Sequence, residues 1–247
     1  MPGSGKPGKT FGRVAEAYAR TRPPYSAEAI ERAAHELGLT RDATVLDLAA
    51  GTGVLTRALR EHFARVVAVE PDEGMRAQFD GEVLAGTAES IPLPDGAVDA
   101  VFVGDAFHWF DSRKALAEIR RVAGVGLVIT GHAWGIKEQP ELLPQAFHDD
   151  LNVVWRRFHG DRTSSGFPDW TEIFQPEGPV EFERTVRISG RDLVDLHLTA
   201  STPASISDVE RAAIARRAYP LMDDVYEMRV VTELYWVRFT GGKVSDT

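Results

Sequence analysis

From residue 44 the apolar positions of this chain fall into short runs separated by helical periods. Strand-length runs lie at 44–49, 65–70, 82–85, 98–103 and 125–130, and helical patterns at about 53–63, 73–80 and 111–122. That alternation predicts an α/β fold, a doubly wound parallel sheet with helices on both faces. Ahead of it, Phe11 to Tyr25 reads as a short helix ending before Arg22-Pro23-Pro24-Tyr25. Ser26 then caps a second helix, in which Ile30, Ala33, Ala34 and Leu37 share a face and Gly38 supplies the stop. Pro92, Pro94, Asp95 and Gly96 mark the loop between the third and fourth strands.

The second half is less regular. Residues 138–159 suggest a helix rich in aromatics and 161–179 a Ser/Gly/Pro-rich connection. Val180, Phe182, Arg184, Val186 and Ile188 alternate as a strand does, helices follow over about 190–219, and Arg229 to Phe239 is again β-rich. No internal repeat and no second domain core is evident. Residues 1–10 are expected to be a disordered tail, leaving 11–247 as one domain in which 138–228 contributes a lid or substrate-binding insertion.

The first strand ends in a small-residue loop, Ala49-Ala50-Gly51-Thr52-Gly53, with a helix at once behind it, and the second strand ends on Glu70. In a doubly wound sheet such a loop lets a ligand approach the backbone and the helix N-terminus. An acid ending the second strand is placed to bond a ribose diol. A nucleoside-containing cofactor follows. The dinucleotide pattern G-x-G-x-x-G would need glycines at 49, 51 and 54, where the chain has Ala49, Gly51 and Val54. A nicotinamide-dependent oxidoreductase is therefore the alternative reading rather than the leading one. A second alternative is a protein that binds the cofactor without chemistry.

Composition narrows the classes. The net charge of −9 disfavours non-specific nucleic-acid binding, and the absence of cysteine excludes disulfides, thiolate metal sites and cysteine nucleophiles. Apolar runs are of strand length, so no membrane partner is expected, and without a secretory pattern the default location is cytoplasmic. No metal is expected, since H-E-x-x-H and comparable spacings do not occur. Gly3 through Thr10 matches G-x-x-x-x-G-K-T, but no strand precedes it and Pro7 removes a donor, so it is not read as a phosphate loop.

The run D-L-A-A-G-T-G at 47–53, followed by E-P-D-E-G-M at 70–75, resembles the class I S-adenosylmethionine-dependent methyltransferases. Asp47, Gly51 and Gly53 match that family's first motif, with Ala49 in the place of its leading glycine, and Glu70 matches its ribose-binding acid. The run A-F-H-W-F at 106–110 is similar to a small-molecule subset that includes the trans-aconitate methyltransferases. The similarity covers 11–135, weakens through 136–228 and returns at Thr232 to Trp236. The resemblance implies a Rossmann-like seven-stranded sheet with the last strand antiparallel, a helical lid, and S-adenosyl-L-methionine as cofactor. It further implies methyl transfer to a small-molecule acceptor, such as a carboxylate or another oxygen, by in-line displacement.

The same resemblance distributes roles. Asp47 would accept from the cofactor's ammonium group or else cap loop N–H groups, while Gly51 and Gly53 bring the backbone against the amino-acid end. Glu70 would hold both ribose hydroxyls. Thr87, standing where relatives have an acid, would accept from the adenine amino group, with backbone N–H groups from Ala88 or Glu89. Met75 would pack on adenine or ribose, or simply fill the helix–sheet interface. Asp105 would meet the amino-acid end. Arg22 would pair with a carboxylate of cofactor or substrate. Tyr18, Tyr25, Trp109, His132 and Trp134 are candidates for the acceptor wall. His108 is the candidate general base or a shaping element of the wall.

Overall fold

The computed structural model describes residues 11–134, 139–159 and 175–239. The Gly3–Thr10 pattern, the expected tail at 1–10 and most of the 161–179 connection lie outside the described residues. Among the described residues six strands form one sheet: β1 (Thr44–Leu48), β2 (Arg65–Val69), β3 (Val98–Gly104), β4 (Ala123–Ala133), β5 (Glu177–Ser189) and β6 (Val225–Arg238). Their spatial order is β2-β1-β3-β4-β6-β5. The first four run parallel, and β6 runs antiparallel to both of its neighbours. The last strand is thus the antiparallel one. The expected strand at 82–85 is reduced to a single parallel bridge between Leu84 and Val69, which outlines a seventh position beyond β2. Only four residues separate Gly81 from Gly86 there, and Leu84 is exposed, as on a blunted edge.

Helices pack on both faces. α2 (Ala27–Leu37) and α3 (Val54–His62) cover one, where Ile30, Leu37, Leu55 and Leu59 meet Val45, Phe102 and Val128. α5 (Ser112–Val122) covers the other, where Ala115, Ile119 and Val122 meet Leu46, Leu48, Val101 and Leu127. Strand alternation decides these partners, since neighbouring side chains of β1 point to opposite faces. The boundaries of α2 follow the expected signals: Ser26 Oγ accepts from Ala29 N at 3.3 Å, and Gly38 ends the helix in the left-handed region at φ 67°.

Two helices are shorter than the periodicity suggests. α4 (Glu73–Arg76) ends early because the chain tightens into bonds from Gln78 N to Met75 O and Phe79 N to Arg76 O. That turn brings the Phe79 ring beneath Gly53, 2.9 Å from where a Cβ would stand. α6 (Gln145–His159) begins only after a 3-10 turn at Pro140–Leu142 and Pro144, since proline cannot donate within a helix. α6, α7 (Gly190–Leu198) and α9 (Asp208–Ala218) share a further core with the early part of β6, built on Phe147, Leu193, Leu196, Ile214 and Met228. A single turn, α8 (Ser201–Ala204), links the last two. At the N-terminus a 3-10 turn (Phe11–Val14) leads into α1 (Ala15–Thr21).

The chain leaves β1 toward β2 on one side and returns to β3 on the other. In an open α/β sheet that reversal leaves a crevice outside the carboxyl ends of the two strands, where ligands bind. Among the described residues no helix is long and apolar enough to cross a membrane.

Candidate active site

A cavity of about 510 Å³ occupies that crevice, within the range of cofactor pockets. Its floor is the loop after β1, with Ala49 and Gly51, and the loop after β3, with Gly104 and Asp105. One wall is Glu70, Asp72 and Met75; another is Thr87, Ala88 and Glu89. Phe11, Tyr18 and Trp109 roof it, with Phe11 edge-on to both Tyr18 (6.1 Å) and Trp109 (6.3 Å). The roof is seated by a backbone contact, because Gly12 lies so close to Gly74 that a Cβ on the latter would fall 2.5 Å from Gly12 Cα.

Both floor loops hold a non-glycine residue in the left-handed region, Ala49 at φ 61° and Asp105 at φ 52°. Such backbone costs roughly 1–2 kcal/mol per residue for an L-amino acid and concentrates at functional sites. Gly51, at φ 59°, has open space within 4 Å of where its Cβ would stand, so the loop backbone lies bare toward the cavity.

Glu70 is 6% exposed. Its Oε2 accepts from Gly51 N at 2.9 Å and its Oε1 from Asp72 N at 2.8 Å. Burial pushes its carboxyl above the usual range, partly offset by these backbone bonds. Each oxygen keeps acceptor capacity for a ligand hydroxyl. Asp72 in turn caps α4 through Met75 N at 3.0 Å.

Asp105 accepts from Tyr25 Oη (2.8 Å), His132 N (2.9 Å) and His132 Nδ1 (3.1 Å). Burial raises its pKa, but the bonds from His132 and Tyr25 more than offset that, and the group lies below its ordinary value. Behind Tyr18, the Arg22 guanidinium is stacked between the Tyr18 ring (4.2 Å) and the Trp134 ring (4.7 Å). It donates to Thr199 O through Nη2, while Nη1 is buried without a hydrogen-bond partner among the described residues.

Residues 46–128 match the methyltransferase domain family. An uncharacterized methyltransferase of Mycobacterium tuberculosis is 43% identical over 135 residues, 53% of this chain and 54% of that protein. Residues 46–128 thus carry a methyltransferase domain. A malonyl-[acyl-carrier protein] O-methyltransferase of Serratia marcescens is 31% identical over 172 residues, covering 65% of this chain and 64% of its own length. A chain from Anaeromyxobacter dehalogenans, assigned as a type II methyltransferase, superposes with a TM-score of 0.52 at 25% identity, over 88% of this chain and 97% of its own. The alignments span about half the length of the first curated relatives, 54%.

Ten of the residues singled out from sequence line the cavity. They are Tyr18, Ala49, Gly51, Glu70, Met75, Thr87, Ala88, Glu89, Asp105 and Trp109. Asp47 does not. It shares the Val45 face of β1, is 1% exposed and accepts from Thr56 Oγ1 on α3. Desolvation raises its pKa to about 7, and Oδ1 has no hydrogen-bond partner among the described residues. Gly53 stands at the start of α3 (φ 83°) over Phe79, outside the cavity wall. Arg22, Tyr25, His132 and Trp134 cluster behind Tyr18 and Asp105. His108 is also off the cavity wall. Its ring lies 4.9 Å from that of Trp109, and burial lowers its pKa. Phe11, Asp72 and Phe110 line the cavity without having been singled out. Asp72 carried a signal, an aspartate opening a helix, whereas Phe11 reaches the site only through tertiary packing. Among the described residues no cluster suited to a metal is present.

Proposed function

We propose that this chain transfers a methyl group from S-adenosyl-L-methionine to an oxygen of a small-molecule acceptor. The observation that carries the reading is Glu70, a nearly buried carboxylate in the cavity wall that already ties down the loop after β1. A carboxylate with capacity left on both oxygens suits a ribose diol. The bare backbone at Gly51 suits the cofactor's amino-acid end, and the buried, unpaired Arg22 Nη1 suits that end's carboxylate. Thr87 and Ala88 offer a hydroxyl and backbone to adenine against Met75. Asp47 supports the loop from beneath through α3.

When bound, the sulfonium supplies a methyl group that is electrophilic without help from the protein. The chain's task is then to align the acceptor and exclude water. Alignment alone can lower such a barrier by roughly 7–11 kcal/mol. Phe11, Tyr18 and Trp109 cover part of the cavity, which is where water would be excluded. We assign 138–228 the role of shaping the acceptor side, since α7 sets His197 edge-on against Trp134, which stacks on Arg22 behind Tyr18. The Serratia relative's name, an O-methyltransferase, supports oxygen as the methylated atom.

Calorimetric titration with S-adenosylmethionine, S-adenosylhomocysteine and NADH tests the reading. Micromolar binding of the first two with NADH silent is the expected result; binding of NADH alone overturns it.

A further inference from the structure

The two edges of the sheet end differently. Beyond β2 the sheet stops at the single bridge at Leu84, whereas the other edge is β5, longer than any of β1 to β3. Features that spoil an edge are confined to the start of β5: Pro179 and the register shift between Glu177 and Val180. From Val180 to Ser189 the ladder with β6 is unbroken. A long regular edge is a template for a further strand.

Backbone bonds on β6 decide which atoms of β5 face outward. Arg229 N donates to Gln139 Oε1 at 2.8 Å, and Arg229 O accepts from Gln139 Nε2 at 2.7 Å. Gln139 follows β4, so both groups are turned to the side of β6 away from β5. Arg229 stands opposite Thr185 in the ladder, and theirs is therefore a pair without mutual hydrogen bonds. By alternation Glu181, Glu183, Thr185 and Arg187 direct their N–H and C=O groups to the outer edge. Among the described residues none of these groups is hydrogen-bonded.

The side chains of this edge complement a second copy of themselves. Two β5 strands laid antiparallel about a twofold axis at Thr185 oppose Glu183 to Arg187 twice, and Thr185 to Thr185. On the other face Phe182 meets Ile188 and Arg184 meets Val186. Opposite-charge, Thr–Thr and aromatic–β-branched pairs are those that favour neighbouring strands, and no like charges are opposed. An axis at Glu183 or at Arg184 opposes that charge to itself, and an axis at Val186 loses the Glu183–Arg187 pair. Phe182, Val186 and Ile188 are only partly buried against the cores beside the strand, which leaves apolar surface at the edge to be covered.

We propose that the β5 edge is the interface of a twofold homodimer, in which two β5 strands pair antiparallel about Thr185 and one sheet runs through both chains. Each Thr185 N–H donates to the opposite Thr185 C=O, and Glu183 and Arg187 exchange the same bonds across the axis. The interface consumes the edge on both copies, so it closes at two chains. It lies outside the cavity lining, and substitutions in it should leave cofactor binding unchanged.

Sedimentation velocity of the parent chain should show a dimer that dissociates on dilution; a monomer at about 100 μM overturns the interface. Thr185→Pro deletes an outward N–H without touching the β6 ladder, and should give a monomer of unchanged circular dichroism. Arg187→Glu opposes glutamates and should weaken the dimer about tenfold or more. Adding Glu183→Arg to it restores opposite charges and should restore the affinity. A dimer indifferent to Thr185→Pro, or failure of the charge rescue, overturns pairing about Thr185. The sequence has no cysteine, so Thr185→Cys carries the only thiol. Opposed Cα atoms in such a pair lie about 5.5 Å apart, within reach of a disulfide. Mild oxidation should link Thr185→Cys into a covalent dimer and leave Val209→Cys, exposed on α9, unlinked. Equal linkage of the two, or none in Thr185→Cys, overturns the interface.

Discussion

The Glu70 carboxylate accepts a hydrogen bond from Gly51 N at 2.9 Å, so the acid that closes β2 and the loop that leaves β1 act as one unit. Its second oxygen holds Asp72 N, which starts the turn into α4. One side chain thereby sets the floor and one wall of the cavity. The same carboxylate is offered to the ligand, so binding and loop geometry are coupled.

Glu70→Ala should weaken S-adenosylmethionine binding roughly 10- to 150-fold, the equivalent of losing a charged acceptor worth about 1.5–3 kcal/mol. Calorimetric titration of the purified variant measures this. Affinity equal to that of the parent chain would remove Glu70 from the site.

Asp47 predicts a pH dependence of stability. Its folded pKa of about 7 lies above the ordinary value of 3.8 because burial disfavours the charge. A raised folded pKa contributes stability that is fully present below the unfolded value and is lost progressively as pH rises from about 4 to about 7. The span amounts to roughly 4 kcal/mol. Asp47→Asn keeps an acceptor for Thr56 and cannot ionise. Its urea midpoint, relative to the parent, should therefore climb between about pH 4 and pH 7 and level off above that. A constant difference across that window would contradict the assignment.

Gly74→Ala would place a Cβ 2.5 Å from Gly12 Cα and 3.0 Å from Gly12 O, both rigid backbone atoms. The Phe11–Val14 turn should lift away, at a cost of about 1–3 kcal/mol as in overpacked sites. Phe11 and Tyr18 would leave the roof with it. Limited proteolysis within residues 11–21 should speed up, and cofactor affinity should fall in parallel. Unchanged proteolysis would mean that this contact does not seat the roof.

Arg22→Gln separates the two ends of the ligand. Losing a charge-assisted bond to the cofactor's carboxylate should weaken S-adenosylhomocysteine binding about tenfold or more. 5′-Methylthioadenosine lacks the amino-acid end, so its affinity should be retained. Equal loss for both would point to a role for Arg22 in holding Tyr18 and Trp134 rather than the carboxylate.

Much of the site was legible because its signals are local. A small-residue loop between a strand and a helix, and an acid ending the next strand, are short-range patterns with direct physical causes. The position of Ala49 is instructive: the resemblance puts a glycine there, and the backbone is left-handed at φ 61°. His132 was legible only as a position after a strand. Its partner Asp105 is 27 residues away, and their approach depends on β3 and β4 lying side by side.

By itself the amino-acid sequence determined the alternation of strands and helices and the nucleoside-type loop with Glu70. Periodicity and turn chemistry are written within a few residues of one another, so these needed no distant partner. Tertiary structure alone decided that Asp47 lies under α3, because the face a strand residue takes follows from how the sheet is covered. It alone stopped α4 at Arg76 and reduced the 82–85 strand to a bridge at Leu84. It also brought Phe11, Arg22, Trp134 and His197 to one end of the cavity, from segments up to 186 residues apart. Contacts of that range are fixed by packing between layers, which no window along the chain contains.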